Sequence, residues 1–533
     1  MFLYFLFLFV LKNILSQEQT EVVSKDKKKD ILFIFCFFIV WLVIIYIFNL
    51  SHLKGKEEKS KLYGDLETNL QNKPLEEWEK EFKKKDTNGK KYKITFWHNL
   101  YTEEEEIIKE IIEKFEEKFP QIEIKANKKN SWGQVLQSVS NALNVNKQPN
   151  LVFSYPDHIQ FYSGSGKVVP LDIFINKDEE FKGDQIKEKF IKNYVQKINP
   201  DNEGGKYYYL PFLKTTEAMF YNRELLKEII EKLKEEEKKE LKKFVDLETG
   251  ELIKAEIKWD EMKKICEILK KTQGENFIPI LVNSGDNLFI NSIEQVNLDY
   301  PTNEKETIQN FFQNQEVQNI FQYFKKDFYD KDYLTLTKFV GENQSEKLIK
   351  QKNICFFITS TRRFQYLYNK VYSKDSLRVH EIPKYNYEGQ VDKRKENQNI
   401  LQGPNINLFY SQSTEEMIAS WLFLKDLISF KTYEKFFNKG YLFNIAQTDF
   451  KNKLNEQNQV SETQEFLDEI IKNKDENYFY TSPIFKNSNY LRNIFTDLFI
   501  EIFTIKNKNI DIKKEIQKSF DENYKRFQLN FIE

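Results

Sequence analysis

At 533 residues the chain has room for two sizeable domains and extensions, and 81 basic residues against 82 acidic ones leave a formal net charge of −1. That balance gives no electrostatic reason to expect nucleic acid as a partner. Three scattered cysteines, Cys36, Cys266 and Cys355, argue against a disulfide framework, and His52, His98, His158 and His380 fall in no H-E-x-x-H or H-x-H spacing, so neither a structural metal nor a cofactor is expected.

The first eleven residues, MFLYFLFLFVL, are apolar but short for a bilayer span; an interfacial segment, a second signal-like element and an upstream start all remain open. Residues 31–48, ILFIFCFFIVWLVIIYIF, form an unbroken apolar run of 18. At about 1.5 Å per residue such a run just crosses a hydrocarbon core of roughly 30 Å, so one transmembrane helix is expected. KDKKK at 25–29 precedes it and, by the positive-inside bias, puts the N-terminus in the cytoplasm and everything after Ser51 outside. From there to Lys91 the chain is rich in Lys and Glu and reads as a polar tether, with a short helix around Leu75–Phe82.

Tyr92–Lys125, YKITFWHNLYTEEEEIIKEIIEKFEEKFPQIEIK, is the segment around which the rest is organised. Lys93–Trp97 is β-prone, and Thr102–Lys118 places Ile108, Ile111, Ile112, Phe115 and Phe119 on one helical face with Glu110, Glu113, Lys114 and Glu117 opposite. Thr102 and Glu105 have capping-box spacing. Pro120 stops the helix and Ile122–Lys125 is extended again, which makes a β-α-β unit. Ligands of parallel sheets bind beyond the carboxyl ends of the strands, where His98 and Asn99 stand.

Ser131–Leu143 reads as a helix and Asn150–Ser154 as a strand ending at Tyr155-Pro156-Asp157; Tyr155 is either a stacking platform or a half-buried loop aromatic. Residues 207–222 combine strand residues with Lys214, Thr215 and Thr216, and 223–245 reads as one long charged helix with a solvated face. Trp259 opens the next helix as a packing residue. Asn353–Ser360 is a strand followed by Thr361, Arg362 and Arg363, so that a guanidinium could meet an anion at a helix start. Pairing of these arginines with surface acids is the competing reading. Residues 384–401 read as a polar loop, Ile406–Phe409 as a strand and Ser413–Phe430 as a helix.

ITFWHNL with FPQIEIK resembles the opening of the extracellular solute-binding proteins of ABC importers, the family that includes maltose-binding and glycerol-3-phosphate-binding proteins. Four more blocks follow in that family's order: 150–172, 207–225, 257–271 and 402–429. The resemblance implies an α/β, two-lobed periplasmic-binding-protein-like fold with discontinuous lobes and a hinge. It assigns 92–217 plus 403–440 to lobe 1 and 218–402 plus 441–533 to lobe 2. Crossings fall at 207–222, at Gln402-Gly403-Pro404-Asn405 and near Leu442–Asn444. In that family Cys36 would be the candidate for lipidation, but Phe35 before it is not the small residue the pattern wants, and an uncleaved signal anchor is the better reading. Phe, Tyr, Lys, Asn and Ile are abundant, as in the AT-rich genomes of wall-less bacteria.

The implied function is capture of a sugar or oligosaccharide between the lobes and delivery to an ABC permease, the lobes being extracellular on a single-pass anchor. By motif position and strand-end logic the expected ligand residues are Trp97, His98, Tyr155, Lys214, Thr216, Ser360 and Gly403; Arg362 is added where this chain departs from the resemblance, the matching turn of relatives carrying small residues and a glycine instead of two arginines. A glycerol-3-phosphate-like anionic ligand is the second reading. A membrane-anchored glycosidase using Asp157 and Glu217 is a third, and an adhesin or sensor a fourth; catalysis is not expected, because no recognised catalytic motif is present.

Overall fold

The computed structural model describes residues 61–531 except 62, 86–88, 90, 182–189, 191–196, 198–204, 302–304, 374, 386–398, 412, 439–477, 486 and 507–510. The apolar run 31–48, Cys36 and the expected crossing near Leu442–Asn444 lie outside the described residues. Among the described residues no helix is long and apolar enough to cross a membrane. The chain divides into two compact units, Met1–Asp65 and Leu66–Glu533, and the sheets belong to the second.

Twelve strands are described in that unit: β1 (Tyr92–His98), β2 (Ile122–Lys128), β3 (Leu151–Ser154), β4 (Leu210–Pro211), β5 (Thr215–Asn222), β6 (Ile280–Val282), β7 (Leu334–Leu336), β8 (Phe356–Ser360), β9 (Leu377–His380), β10 (Asn399–Gln402), β11 (Asn405–Leu408) and β12 (Phe479–Tyr480). The helices used below are α1 (Thr102–Lys118), α2 (Trp132–Asn144), α3 (Pro156–Ser163), α4 (Arg223–Ile230), α5 (Glu235–Leu241), α6 (Trp259–Gln273), α7 (Gly285–Gln295), α8 (Thr414–Leu427) and α9 (Ser488–Phe503).

The first sheet has the order β2-β1-β3-β11-β4. Strands β2, β1 and β3 run parallel, and β11 is antiparallel to both its neighbours. Helix α1 is the crossover between β1 and β2. It buries Ile107, Ile108, Ile111 and Phe115, so the apolar stripe includes Ile107 where the sequence pattern put Ile112. The capping box also sits one residue earlier than expected, because Tyr101 is the N-cap and its N–H donates to Glu104 at 2.8 Å. Helix α8 covers the same sheet and buries Trp421, which stacks on Phe174.

In the second sheet the order is β12-β10-β5-β8-β6-β7, with β9 on the far half of β5. Strand β5 is its spine, antiparallel to β8, β9 and β10 and buried along its whole length. Around it lies a large aromatic core in which Trp259 meets Phe324 and Phe328 edge-on, the packing role expected of it. Helix α9 and the C-terminal helix Ile512–Phe531 close this core with Phe495, Phe499 and Phe520.

Two expectations need correction. Residues 223–245 form two helices, α4 and α5, because the chain turns after Ile230 to bury Leu233 and restarts where the Lys234 N–H is capped by Glu237. Charge spacing alone cannot see that break. The stretch 384–401 is also not wholly a loop: Asn399–Leu401 enters β10, and Thr216 donates its hydroxyl to the Ile400 carbonyl at 2.8 Å.

The chain passes between the sheets at 212–214 and again at 403–404, side by side. The Phe212 N–H donates to Pro404 O at 3.1 Å. Gly403 has φ +102°, and a Cβ there would stand 1.9 Å from Leu213 O, so only glycine lets the two crossings touch.

Candidate functional site

The carboxyl ends of the parallel strands in both sheets meet at this double crossing. β1 ends at His98 and β3 at Ser154, while β8 ends at Ser360 opposite Glu217 of β5. Side chains just past these ends therefore face one another across a cleft, the place where open α/β sheets bind ligands.

The first sheet contributes an aromatic wall. Trp132 of α2 and Tyr155, the N-cap of α3, lie with ring centroids 4.3 Å apart. The Arg362 guanidinium completes the row, 4.3 Å from the Tyr101 ring and 5.9 Å from that of Trp132. Trp97 is half-buried against the core under α2, with Lys129 Nζ 4.1 Å above its ring. His98 is buried; burial holds its imidazole down to about 4, so it is neutral near pH 7, and its Nδ1 accepts the Leu100 N–H at 3.3 Å.

Across the cleft, Ser360 caps the turn by accepting the Arg362 N–H at 3.3 Å. Arg362, on the second sheet's side, reaches to the first sheet's side and meets Glu104. Its Nε donates to Glu104 Oε1 at 2.8 Å, its Nη2 to the other carboxylate oxygen, and Nη2 also to Asn99 O at 3.3 Å. Glu104 is fully buried and Arg362 nearly so, at 0% and 7% exposure. Burial works against the guanidinium's charge, but the Glu104 carboxylate, with smaller help from Tyr101 and Tyr155, raises its pKa above the ordinary value. Arg363 instead points to Glu342, 2.5 Å away. Beside the pair lies a cavity of about 610 Å³, walled by Tyr101, Thr102 and Glu103 on one side and by Glu346, Arg362, Arg363, Gln365, Tyr366, Asn369 and Lys370 on the other. Its size falls within the roughly 300–1,000 Å³ typical of small-molecule sites.

A second, separate cavity of about 20 Å³ is lined by Tyr155, Asp157, Tyr300, Gln402, Ser488 and Arg492 among others. Arg492 of α9 donates through Nε and Nη2 to Asp286 at 3.1 and 2.8 Å, and Nη2 also reaches Asn287 Oδ1 at 2.6 Å. Asn287 and Gln402 in turn donate to Glu217 Oε1 at 3.0 and 3.2 Å. Burial, reinforced by the Asp286 charge, pushes the Glu217 carboxyl up to about 8. Lys214 sits in the crossing itself, donating to Gly403 O at 3.4 Å, and burial brings its amine down to about 7.

Thus Arg362 lines the larger cavity and Tyr155 the smaller one, Ser360 caps the turn that carries Arg362, Trp97 packs on the core and His98 is buried at the end of β1, while Lys214 and Gly403 build the crossing. Thr216 faces a neighbouring strand: its N–H donates to Thr361 Oγ1 and its hydroxyl to Ile400 O. Of the pair weighed for glycosidase chemistry, Asp157 lines the small cavity and Glu217 is tied to two amides. Sequence reasoning missed Tyr101, Glu104, Trp132, Asp286, Asn287 and Arg492. Glu104 and Trp132 stand in segments already marked as helix starts beside strand ends, a usable signal; Arg492 lies in a C-terminal helix with no local mark.

A family model described as "bacterial extracellular solute-binding protein" matches residues 110–452. The maltotriose-binding protein of Pyrococcus abyssi is 27% identical over 136 residues, so that the match spans 26% of this chain and 27% of that relative. Among solved structures, the GacH receptor of Streptomyces glaucescens, studied unliganded and with acarbose, superposes with a TM-score of 0.60 at 16% identity, covering 81% of this chain and 98% of its own. UgpB from Mycobacterium tuberculosis, solved with glycerophosphocholine, gives 0.58 at 13% identity over 82% and 98%. The fold is therefore the two-lobed periplasmic-binding-protein-like α/β fold, with one sheet in each lobe. Since the matched span is more than half of its length, the chain belongs to the bacterial extracellular solute-binding protein family.

Proposed function

We propose that this protein is the substrate-binding component of an ABC importer, that it captures a sugar or oligosaccharide between its lobes, and that it passes the solute on unchanged. The observation that carries this reading is the cavity of about 610 Å³, in which the aromatic rings of Tyr101 and Tyr366 stand among polar side chains, with the Trp132–Tyr155 pair close to Arg362 of its wall. Aromatic faces stack on the apolar faces of pyranose rings, while buried polar groups fix the hydroxyls and lobe closure excludes water. The Pyrococcus and Streptomyces relatives point the same way. Lobe 1 is taken as 92–214 plus 403–440 and lobe 2 as 215–402 plus 441–533, the bound expected at 217 moving because Thr215–Glu217 lie in β5, with the hinge at the paired crossings. The apolar run at 31–48 would hold both lobes outside the cell beside a permease.

Glycerol-phosphate-type ligands are the second reading, favoured by Arg362 in the cavity wall. A thermal-shift screen of the full chain in detergent against maltodextrins, other disaccharides, glycerol 3-phosphate and its diesters separates the two. A ligand at 100 times its Kd stabilises the fold by about 2.7 kcal/mol. A shift with saccharides, and their recovery unaltered, is expected. Conversion of the saccharide would replace the receptor reading with an enzyme.

A further inference from the structure

We propose that Glu104 sets the charge selectivity of the cleft: by holding the hydrogen-bonding edge of Arg362, it commits the larger cavity to uncharged saccharides and closes it to phosphate- and carboxylate-bearing ligands. This rests on the saccharide reading above and names the class of saccharide.

Arginine recognises phosphate and carboxylate through two parallel N–H donors in a planar fork. In Arg362 the Nε–Nη2 edge is engaged by both oxygens of Glu104, and Nη2 also serves Asn99 O. One face of the guanidinium lies over the Tyr101 ring. The neighbouring guanidinium, Arg363, is engaged by Glu342. Two more carboxylates, Glu103 and Glu346, stand in the cavity wall. An entering phosphate would therefore meet two carboxylates and guanidinium edges already engaged, with Lys370 a further cation in the wall.

Displacing Glu104 is costly. Its carboxylate is fully buried at the start of α1, where it also accepts the Tyr101 N–H. The helix N-terminus favours its negative charge. Pulling Arg362 away would leave that charge in the interior with a single backbone donor, and an uncompensated buried ion is far worse than the pair. Saccharide hydroxyls make no such demand: they can donate to the carboxylates and accept from whatever guanidinium N–H remains. Arg362 thus contributes its planar surface to the aromatic row while its charge is cancelled.

The test is calorimetric binding of maltotriose and sn-glycerol 3-phosphate to the full chain and to Glu104→Gln, which keeps the shape of the side chain and removes its charge. The wild type should show no measurable glycerol 3-phosphate binding. E104Q should bind it with a Kd at least about tenfold below the wild-type detection limit, and the added substitution Arg362→Met should abolish the gain. If folded E104Q gains nothing, or if the wild type binds glycerol 3-phosphate as tightly as maltotriose, the proposal is wrong. Should E104Q not fold, the wild type decides alone: a saturable rise of its melting temperature with inorganic phosphate that R362M removes would overturn the proposal, and no such rise supports it. A wild type that binds neither probe counts against the saccharide reading, whereas a phosphate gain in E104Q would still uphold the charge filter.

Discussion

Arg362 and Glu104 are 258 positions apart in the chain, and their charged groups meet edge to edge across the cleft, both nearly or wholly inaccessible to solvent. Removing one partner strands the other. Arg362→Met should destabilise the protein by about 3–5 kcal/mol, whereas R362M combined with Glu104→Gln should recover at least about 1 kcal/mol of that loss. Urea denaturation of the four species closes the cycle, and additive losses would mean that the two side chains do not act as a pair.

Gly403 offers a test of the crossing. Alanine at this position would need a left-handed backbone and would drive its Cβ into the Leu213 carbonyl. Gly403→Ala should cost about 2–4 kcal/mol and lower Tm, and if the strain is relieved by separating the two crossings it should weaken ligand binding as well. A G403A protein with unaltered Tm would show that the two segments move apart freely.

The aromatic row should carry much of the affinity for a saccharide. Trp132→Ala and Tyr155→Ala should each weaken maltodextrin binding by about tenfold or more, near 1.4 kcal/mol, whereas Tyr155→Phe, which retains the ring, should stay within about threefold of the wild type. Titration calorimetry reads this directly. Because Trp132 also rests on the core beneath α2, its melting curve must be taken alongside.

Glu217 and Lys214 should give stability opposite slopes with pH. Glu217 binds its proton up to about 8 when folded and only to its ordinary 4.5 when unfolded. Between those values the native state holds more protons, so this contribution is complete below about 4.5 and is lost as pH rises through 8. Lys214 is depressed to about 7 from 10.5, so between those values the unfolded chain holds the extra proton and stability rises with pH. Denaturation at several pH values should therefore show Glu217→Gln removing a decline between about pH 5 and 8, and Lys214→Met removing an increase above about pH 7. Curves parallel to the wild type would show that neither group titrates as its surroundings dictate.

How far the sequence foretold these features depended on distance along the chain. Helix α1 was legible to its ends, Thr102 and Lys118, because capping, apolar spacing and Pro120 are all local. Its capping box was misplaced by one residue, since in a run of four glutamates only the fold chooses which one turns inward. That residue is Glu104, and its reason for turning inward lies at Arg362. Strand β10 stayed hidden because four residues at the end of a polar stretch carry no period, and its partner β5 lies some 180 residues earlier. The paired crossings showed at Gln402-Gly403-Pro404-Asn405 because glycine and proline mark such places themselves. Arg492 showed no sign: what makes it matter is Asp286 and Asn287, held by another helix.

Strand β11 lies between β3 and β4 in the first sheet, with Ile406 beside Phe153 and Leu210. Some 250 residues separate it from β3, so as the chain emerges during synthesis or export the first sheet keeps an open edge until almost the whole second sheet has appeared. Assembly is thereby forced toward late, long-range closure, which is slow and leaves apolar strands exposed meanwhile. A protein delivered across a membrane in this order depends on whatever keeps its β3 edge covered until residue 408 arrives.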